Sequence, residues 1–420
     1  MEDSTSHYKN VHCVAPFSSL LLLTNIAQAC CNWQADQRLT QGPFIDRNKT
    51  INEIFNGTNG KIRDLFLNGK FKNYKICNKC FEPHQHQYKI HNMYAQENAN
   101  HDYITNPLLT SLHIQPSNLC NLACRFCSPN NSNLLAAEKV LSGYDQDVWT
   151  TDQGDSVKKY EIKKIAVGTP LFDSIIQQVQ HLNYLWFSGG EPLINPEVWV
   201  ILKHAVSHGY SKNISLKFNT NGTVSLTNDE IEILKSFKHL DIDMSLDGVG
   251  ELGEYIRTNL KFDKWVENYK IYKREFQFAT NYIGIVYTLT VYNVHKVVEF
   301  YRAISGVLSS YNMLPKIHIN HLHYPAELCI SNLPDPAKKY IIEKYEFEKN
   351  SIYYKRCRLA DIIEFMSTTR NPRLNIEEFI ENKDKLAIKS GLHKNYKSYK
   401  DIEPEWFELL KHENIDIRQS

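Results

Sequence analysis

From residue 109 onward the apolar positions switch repeatedly between a period of two and a period of three to four. A period of two marks a half-buried strand, and the longer period marks an amphipathic helix. Residues 109–117 (LTSLHIQPS) predict a strand and 133–142 a helix. Residues 143–160 are polar and aperiodic and predict a surface insertion. A helix is then expected around 169–182, followed by strand NYLWFSGGE and helix PEVWVILKHAVSHG. Strand ISLKFNTNG, helix NDEIEILKSFKHL and strand DIDMSLDG come next. Helix DKWVENYKIYKREF, strand YIGIVYTLTVYN, helix VHKVVEFYRAIS and strand KIHINHLHY complete the series. Six strands alternating with helices predict a parallel sheet with right-handed crossovers.

The strands also say how the sheet closes. In DIDMSLDG, Ile242, Met244 and Leu246 share one face, and Asp243, Ser245 and Asp247 the other. Leu216 and Phe218 oppose Lys217, Asn219 and Asn221; Ile317 and Ile319 oppose His318 and Asn320. A flat parallel sheet packed on both faces would not tolerate that polar face. The expected fold class is therefore α/β, a partial (β/α)6 TIM-like barrel lined with polar groups around a ligand. Its polar positions gather at the C-terminal strand ends, where such folds bind ligands.

The flanks read differently. Residues 1–105 hold one apolar strand, a polar turn-rich stretch from Gln34 to Asn48, a helix candidate (INEIFNG…KIRDLFLNG) and a Cys pair. They predict a small metal-stabilised module. Residues 106–330 are the expected barrel, and 331–420 a charged, helical carboxy-terminal extension. Lys383, Lys385, Lys389, Lys394, Lys397 and Lys400 fall in that extension. They read as a solvated helical face, or as a docking patch for an acidic partner.

Composition narrows the class. The chain has 420 residues, 42% of them apolar, with 48 Lys+Arg against 47 Asp+Glu. That supports a large core or two domains, and it gives no global attraction to nucleic acid or an acidic membrane. No run reaches the roughly 18–20 apolar residues of a membrane span. Residues 14–27 (VAPFSSLLLLTNIA) resemble a secretory signal, but Pro16, Ser18, Ser19, Thr24 and Asn25 interrupt the apolar run. A strand, and a reducing cytoplasmic setting, fit better.

Eight of the ten cysteines lie in the first 127 residues. Cys120, Cys124 and Cys127 form a C-x3-C-x2-C run immediately after the first strand of the series. Three soft ligands on one loop suit an iron–sulfur cluster or zinc. Three are too few to close a [4Fe–4S] cube, so one iron is left open to a substrate. A zinc knuckle needs a fourth ligand, and residues 128–150 contain no Cys or His. Cys329 and Cys357 stand alone and read as small buried hydrophobes. Cys329, just past the last strand, is also a candidate hydrogen-atom donor.

The Cys run, with Phe126 before its last member, resembles the radical S-adenosylmethionine (SAM) enzymes. Gly189-Gly190-Glu191-Pro192 resembles that superfamily's GGEP turn, followed in order by Asn219 at the third strand end, Ser245 and Asp247 at the fourth, then Arg257 and Asn293. The resemblance implies that Cys120, Cys124 and Cys127 hold a [4Fe–4S] cluster. It implies that the glycines let the backbone approach SAM, that Glu191 lies beside the SAM amino group, and that Ser245 and Asp247 face its ribose. Arg257 would take its carboxylate, to which a guanidinium is suited. Asn293 would contact the adenosyl or methionine part.

Cys13, Cys30-Cys31 and the Cys77–Cys80 pair resemble a twitch module, the half-sized relative of the SPASM domain that holds an auxiliary iron–sulfur cluster. Four ligands are expected and five cysteines are available. Neighbours on a strand point to opposite sides, so Cys30 and Cys31 would not share one cluster. The SPASM pattern places its Cys five residues after a turn glycine; Asn25 takes that place and selects Cys30, with Cys31 as the alternative. His84 and His86 are possible competitors.

The implied activity is reductive cleavage of SAM to methionine and a 5′-deoxyadenosyl radical, which abstracts hydrogen from a peptide or natural-product precursor. A donor such as flavodoxin or ferredoxin would supply the electron. The alternatives are the same chemistry on a free sugar or nucleoside, and a non-catalytic iron–sulfur or zinc protein. Glu191, Ser245, Asp247 and Arg257 argue against the last, since a structural cluster needs none of them. His318 and Asn320 share the polar interior face, match no SAM motif, and are expected to contact substrate.

Overall fold

The computed structural model describes residues 13–23, 26–30, 46–70, 103–143, 149–150, 156–157, 164–277, 280–308, 316–367, 371 and 374–411. Strands among them are β1 (Ser19–Leu22), β2 (Ala27–Gln28), β3 (Ser111–Ile114), β4 (Ala123–Cys124), β5 (Trp149–Thr150) and β6 (Ser156–Val157). They continue with β7 (Tyr184–Phe187), β8 (Ser215–Thr220), β9 (His239–Ser245), β10 (Arg257–Thr258), β11 (Thr280–Leu289) and β12 (Lys316–His321). One sheet has the order β12-β11-β9-β8-β7-β3-β1-β2. The six strands from β3 to β12 run parallel, in chain order, with helices between them. This is the partial TIM-like barrel that the alternation predicts, with a helical carboxy-terminal region after it.

The sheet does not stop at residue 106. β1 pairs in parallel with β3, Ser19 opposite Ser111 and Leu22 opposite Ile114, and β2 folds back on β1 as an antiparallel edge. Residues of the first segment thus form a seventh parallel strand. The helix Ile51–Leu67 is the crossover, its start fixed by a capping box between Thr50 and Glu53. Its buried Asn59 donates to the Ser19 carbonyl at 2.7 Å, and Arg63 to the Pro16 carbonyl at 2.8 Å. The helix start is tied to the helix Pro170–Gln178, whose Ser174 hydroxyl accepts from the Ile51 amide at 2.7 Å.

Helix starts elsewhere follow local chemistry. Asn195 caps Pro196–Ser207 and Thr169 caps Pro170–Gln178, each with proline in the first turn. Asn228–Lys235 is shorter than the predicted NDEIEILKSFKHL helix: it ends at Ser236, and His239 and Leu240 already belong to β9. Leu240 is fully buried there, so the apolar residue read as helical serves the strand. The polar insertion contains the short hairpin β5–β6.

The main core lies between the sheet and its helices and includes Leu112, Leu185, Phe218, Ile242, Ile285 and Trp265. The opposite face of the sheet stays polar. After β12, the helices Asp335–Phe347, Leu359–Met366 and Ile376–Ser390 pack against the barrel. Cys357 is fully buried among them, and Cys329 is buried with its thiol 3.1 Å from the Ser331 hydroxyl. Neither lines a cavity described below.

Candidate active site

The Cys loop leaves β3 and is clipped in place by a two-residue ladder. β4 pairs antiparallel with β10, Cys124 opposite Arg257, and the Arg125 amide donates to the Ile256 carbonyl at 2.8 Å. Cys120, Cys124 and Cys127 all line one cavity of about 510 Å³ at the C-terminal strand ends. That volume is in the range of sites that hold nucleoside-sized ligands. Burial raises the pKa of all three thiols, that of Cys127 to about 12. Thiolates there need a cationic partner, and iron supplies one. Among the described residues no three Cys, His, Asp or Glu side chains are gathered tightly enough for a single metal ion. Two buried thiols, Cys120 and Cys124, and the half-buried Cys127 around a roomy cavity with one open side suit the wider span of a cluster.

Gly189 and Gly190 line the same cavity with positive φ of 70° and 54°. A Cβ on Gly190 would sit 2.4 Å from the Leu119 carbonyl oxygen, so only glycine lets this turn approach the Cys loop. Phe126, Asn219, Ser245 and Arg257 also line the cavity. The Arg257 guanidinium lies 5.6 Å over the Phe126 ring, and its Nη1 is 3.8 Å from Cys124 Sγ.

Three predicted residues stand behind this wall. Asp247 is fully buried; one carboxylate oxygen is 2.7 Å from Arg257 Nε, and the other accepts from the Thr288 amide at 2.6 Å. Glu191 accepts from the Thr220 hydroxyl at 2.8 Å and from the Asn221 and Leu193 amides at 2.6 and 3.1 Å. Its burial pushes its pKa up to about 7 against the pull of those donors. Asn293 is buried and ties the Thr290 amide to the Asp247 and Thr288 carbonyls. All three hold strand ends rather than line the cavity.

Several lining residues carry no motif. Gln115 donates to Asn131, and Asn221 donates to Asn121 at 2.7 Å beside Cys120. Leu23, from the end of β1, closes one side. Only the alternation rule, applied to the C-terminal end of each strand, could have pointed to Gln115, just after β3, and Thr288, near the end of β11.

Below the cavity the polar face of the sheet forms a connected floor. The His113 ring stacks on Trp186 at 3.8 Å and lies 2.5 Å from the Ser188 hydroxyl. Burial and the nearby Lys217 lower its pKa to about 3, so it stays neutral. Trp186 donates to Asn219 at 2.5 Å, and Lys217 pairs with Asp243 at 2.9 Å. His318 is level with Val286 and Ser245 across the sheet, and Asn320 is level with Thr288. Both side chains are exposed on the last strand, and His318 packs edge-on to Tyr282 at 5.4 Å.

At the amino-terminal edge, Cys13 packs against a small apolar cluster of Phe17, Ala29, Ile62, Phe66 and Tyr103. Cys30 follows Ala29 directly, so the chain brings these two cysteines to the same corner of the sheet. Cys31, Cys77, Cys80, His84 and His86 lie outside the described residues. Among the described residues no helix is long and apolar enough to cross a membrane.

Residues 114–303 match the family described as the Radical SAM superfamily. Mycofactocin maturase MftC of Mycobacterium tuberculosis is 32% identical over 92 residues, which cover 21% of this chain and 22% of the relative. The Mycolicibacterium smegmatis protein of the same name is 29% identical over 92 residues, with the same coverage. The match thus spans about a fifth of these curated relatives. Among solved structures, native anSMEcpe with bound AdoMet superposes with a TM-score of 0.38 at 18% identity, covering 57% of this chain and 61% of that one. SuiB of Streptococcus suis bound to precursor peptide SuiA gives a TM-score of 0.34 at 15% identity, covering 73% and 60%. Three cysteines on the loop after β3, at the mouth of a partial barrel and inside the matched segment, make residues 114–303 a radical SAM domain.

Proposed function

We propose that this chain is a radical SAM enzyme acting on a peptide precursor. The observation that carries the reading is the meeting of three thiols, a glycine turn and one guanidinium at the walls of a single cavity. Cys120, Cys124 and Cys127 would hold a [4Fe–4S] cluster, and SAM would fill the remaining space. Together the reduced cluster and SAM supply a carbon radical able to remove hydrogen from an unactivated C–H bond.

The chain's own residues bind and orient. Arg257 presents its guanidinium to the SAM carboxylate, and Asp247 fixes its direction from behind. Gly189 and Gly190 let backbone groups reach the SAM amino group, while Glu191 holds the neighbouring strand end. Ser245 and Asn219 face the nucleoside. His318 and Asn320 sit on the open side of the barrel, where a substrate has access, and would contact it. The peptide class of the substrate follows the maturase name of the curated relatives. Cys13 and Cys30, with Cys77 and Cys80, would hold an auxiliary iron–sulfur cluster in a twitch-like module.

Incubation with dithionite and SAM under anaerobic conditions tests the reading. The cluster-loaded protein should release 5′-deoxyadenosine slowly without substrate, and Cys124→Ala should release none. A fully loaded protein that releases none under any reductant overturns it.

A further inference from the structure

A second cavity, of about 610 Å³, lies on the other side of the Cys loop. Phe126, Cys127 and Ser128 wall both cavities, so the loop is their shared partition. The far walls come from the helices Asn133–Leu141 and Ile376–Ser390 and from Tyr324 and Pro325 after β12.

Its charge is one-sided. Among the described residues that line it, Lys139, Lys383, Lys385 and Lys389 are cationic and none is acidic. Glu381, 3.3 Å from Lys385, lies outside the lining in an exposed pair that water screens. Glu138 is already committed to Arg125 and His393. In a chain of net charge +1, four lysines thus gather against the back of one ligand loop. Low-dielectric walls focus such a field outward and steer acidic partners. The exposed Tyr324 and the partly buried Phe379 add an aromatic patch inside the charged rim, as transient protein interfaces do.

The reaction cavity cannot itself admit a reductant while SAM and substrate fill it. Electron tunnelling falls steeply with distance, so entry is favoured where the ligand loop alone separates solvent from the cluster. We propose that the lysine-lined cavity is the docking surface for an acidic one-electron carrier protein. This rests on the radical SAM reading above. The carrier's flavin or iron–sulfur centre loses one electron and the cluster on Cys127 gains it; no bond forms or breaks and no proton moves. A carrier seated there leaves the barrel mouth open to substrate.

The test uses cluster-loaded protein, a labelled acidic flavodoxin as carrier, and the Lys385→Glu/Lys389→Glu double variant. Carrier affinity should fall at least about tenfold and lose its salt dependence. The rate at which reduced flavodoxin reduces the cluster, read by absorbance, should fall with it, while dithionite reduces both proteins equally. Unchanged affinity and reduction rate in the variant would overturn the proposal. So would selective loss of binding to a short polyglutamate peptide with carrier reduction intact, which would assign the cavity to an acidic peptide segment. Carrier binding lost in the variant, with no SAM cleavage by dithionite in either protein, would keep the docking surface and reject the enzyme reading.

Discussion

His393, from the carboxy-terminal extension, places Nε2 2.8 Å from the Glu138 carboxylate, 255 residues away in sequence. The same carboxylate oxygen is 2.8 Å from Arg125, the residue between two cluster cysteines. All three side chains are buried, and the Tyr396 ring lies 5.5 Å beneath the guanidinium. The extension therefore holds the Cys loop from behind.

Removing the charge of Glu138 should leave Arg125 buried without its partner. Glu138→Gln is expected to cost about 3 kcal/mol of stability, in line with other broken buried pairs. Urea unfolding measures this, and iron content should fall as the loop loosens. An unchanged midpoint would mean that Arg125 finds another acceptor.

Arg257 and Asp247 form the second buried pair. Arg257→Lys keeps the charge but loses the planar fork. The expected consequence is a SAM dissociation constant raised about tenfold or more, worth about 1.4 kcal/mol, by calorimetric titration. Binding as tight as in the wild type would remove Arg257 from the SAM carboxylate.

Changing Cys120, Cys124 and Cys127 together to Ala should remove one cluster and leave the amino-terminal iron. With two [4Fe–4S] clusters the protein holds about eight iron, and the variant about four. A wild type that never exceeds about four would leave the amino-terminal cysteines without a cluster of their own.

Burial raises the Glu191 pKa from 4.5 to about 7, so folding favours the protonated acid. That stabilisation is complete below about pH 4.5 and is lost as pH rises through 7. Relative to Glu191→Gln, the wild type should lose at most about 3 kcal/mol between those values. Paired urea titrations across this window read the difference, and parallel curves would show that Glu191 is ionised throughout.

The barrel was legible because each βα unit announces itself within some thirty residues. The Cys run, the glycine pair and Arg257 were legible for the same reason, and the chain brings them to one cavity. What escaped was non-local or electrostatic. Ser19–Leu22 reads only as an apolar strand; nothing within it says that its partner begins at Ser111. Asp247 and Glu191 read as ligand-facing acids, yet burial turns both toward neighbouring backbone amides. Their strand ends needed acceptors, and a sequence pattern does not display that need. His393 belongs to no motif, and only the fold carries it to Glu138.

The ladder between β1 and β3 has a consequence for cutting the chain. A fragment beginning at residue 106 would expose the edge of β3 that now pairs with Ser19–Leu22, leaving the amides and carbonyls on that side unsatisfied beside an apolar face. Such an edge invites a second copy to add itself as a strand. The fragment should self-associate in solution, with the amino-terminal segment acting as the barrel's own edge cover.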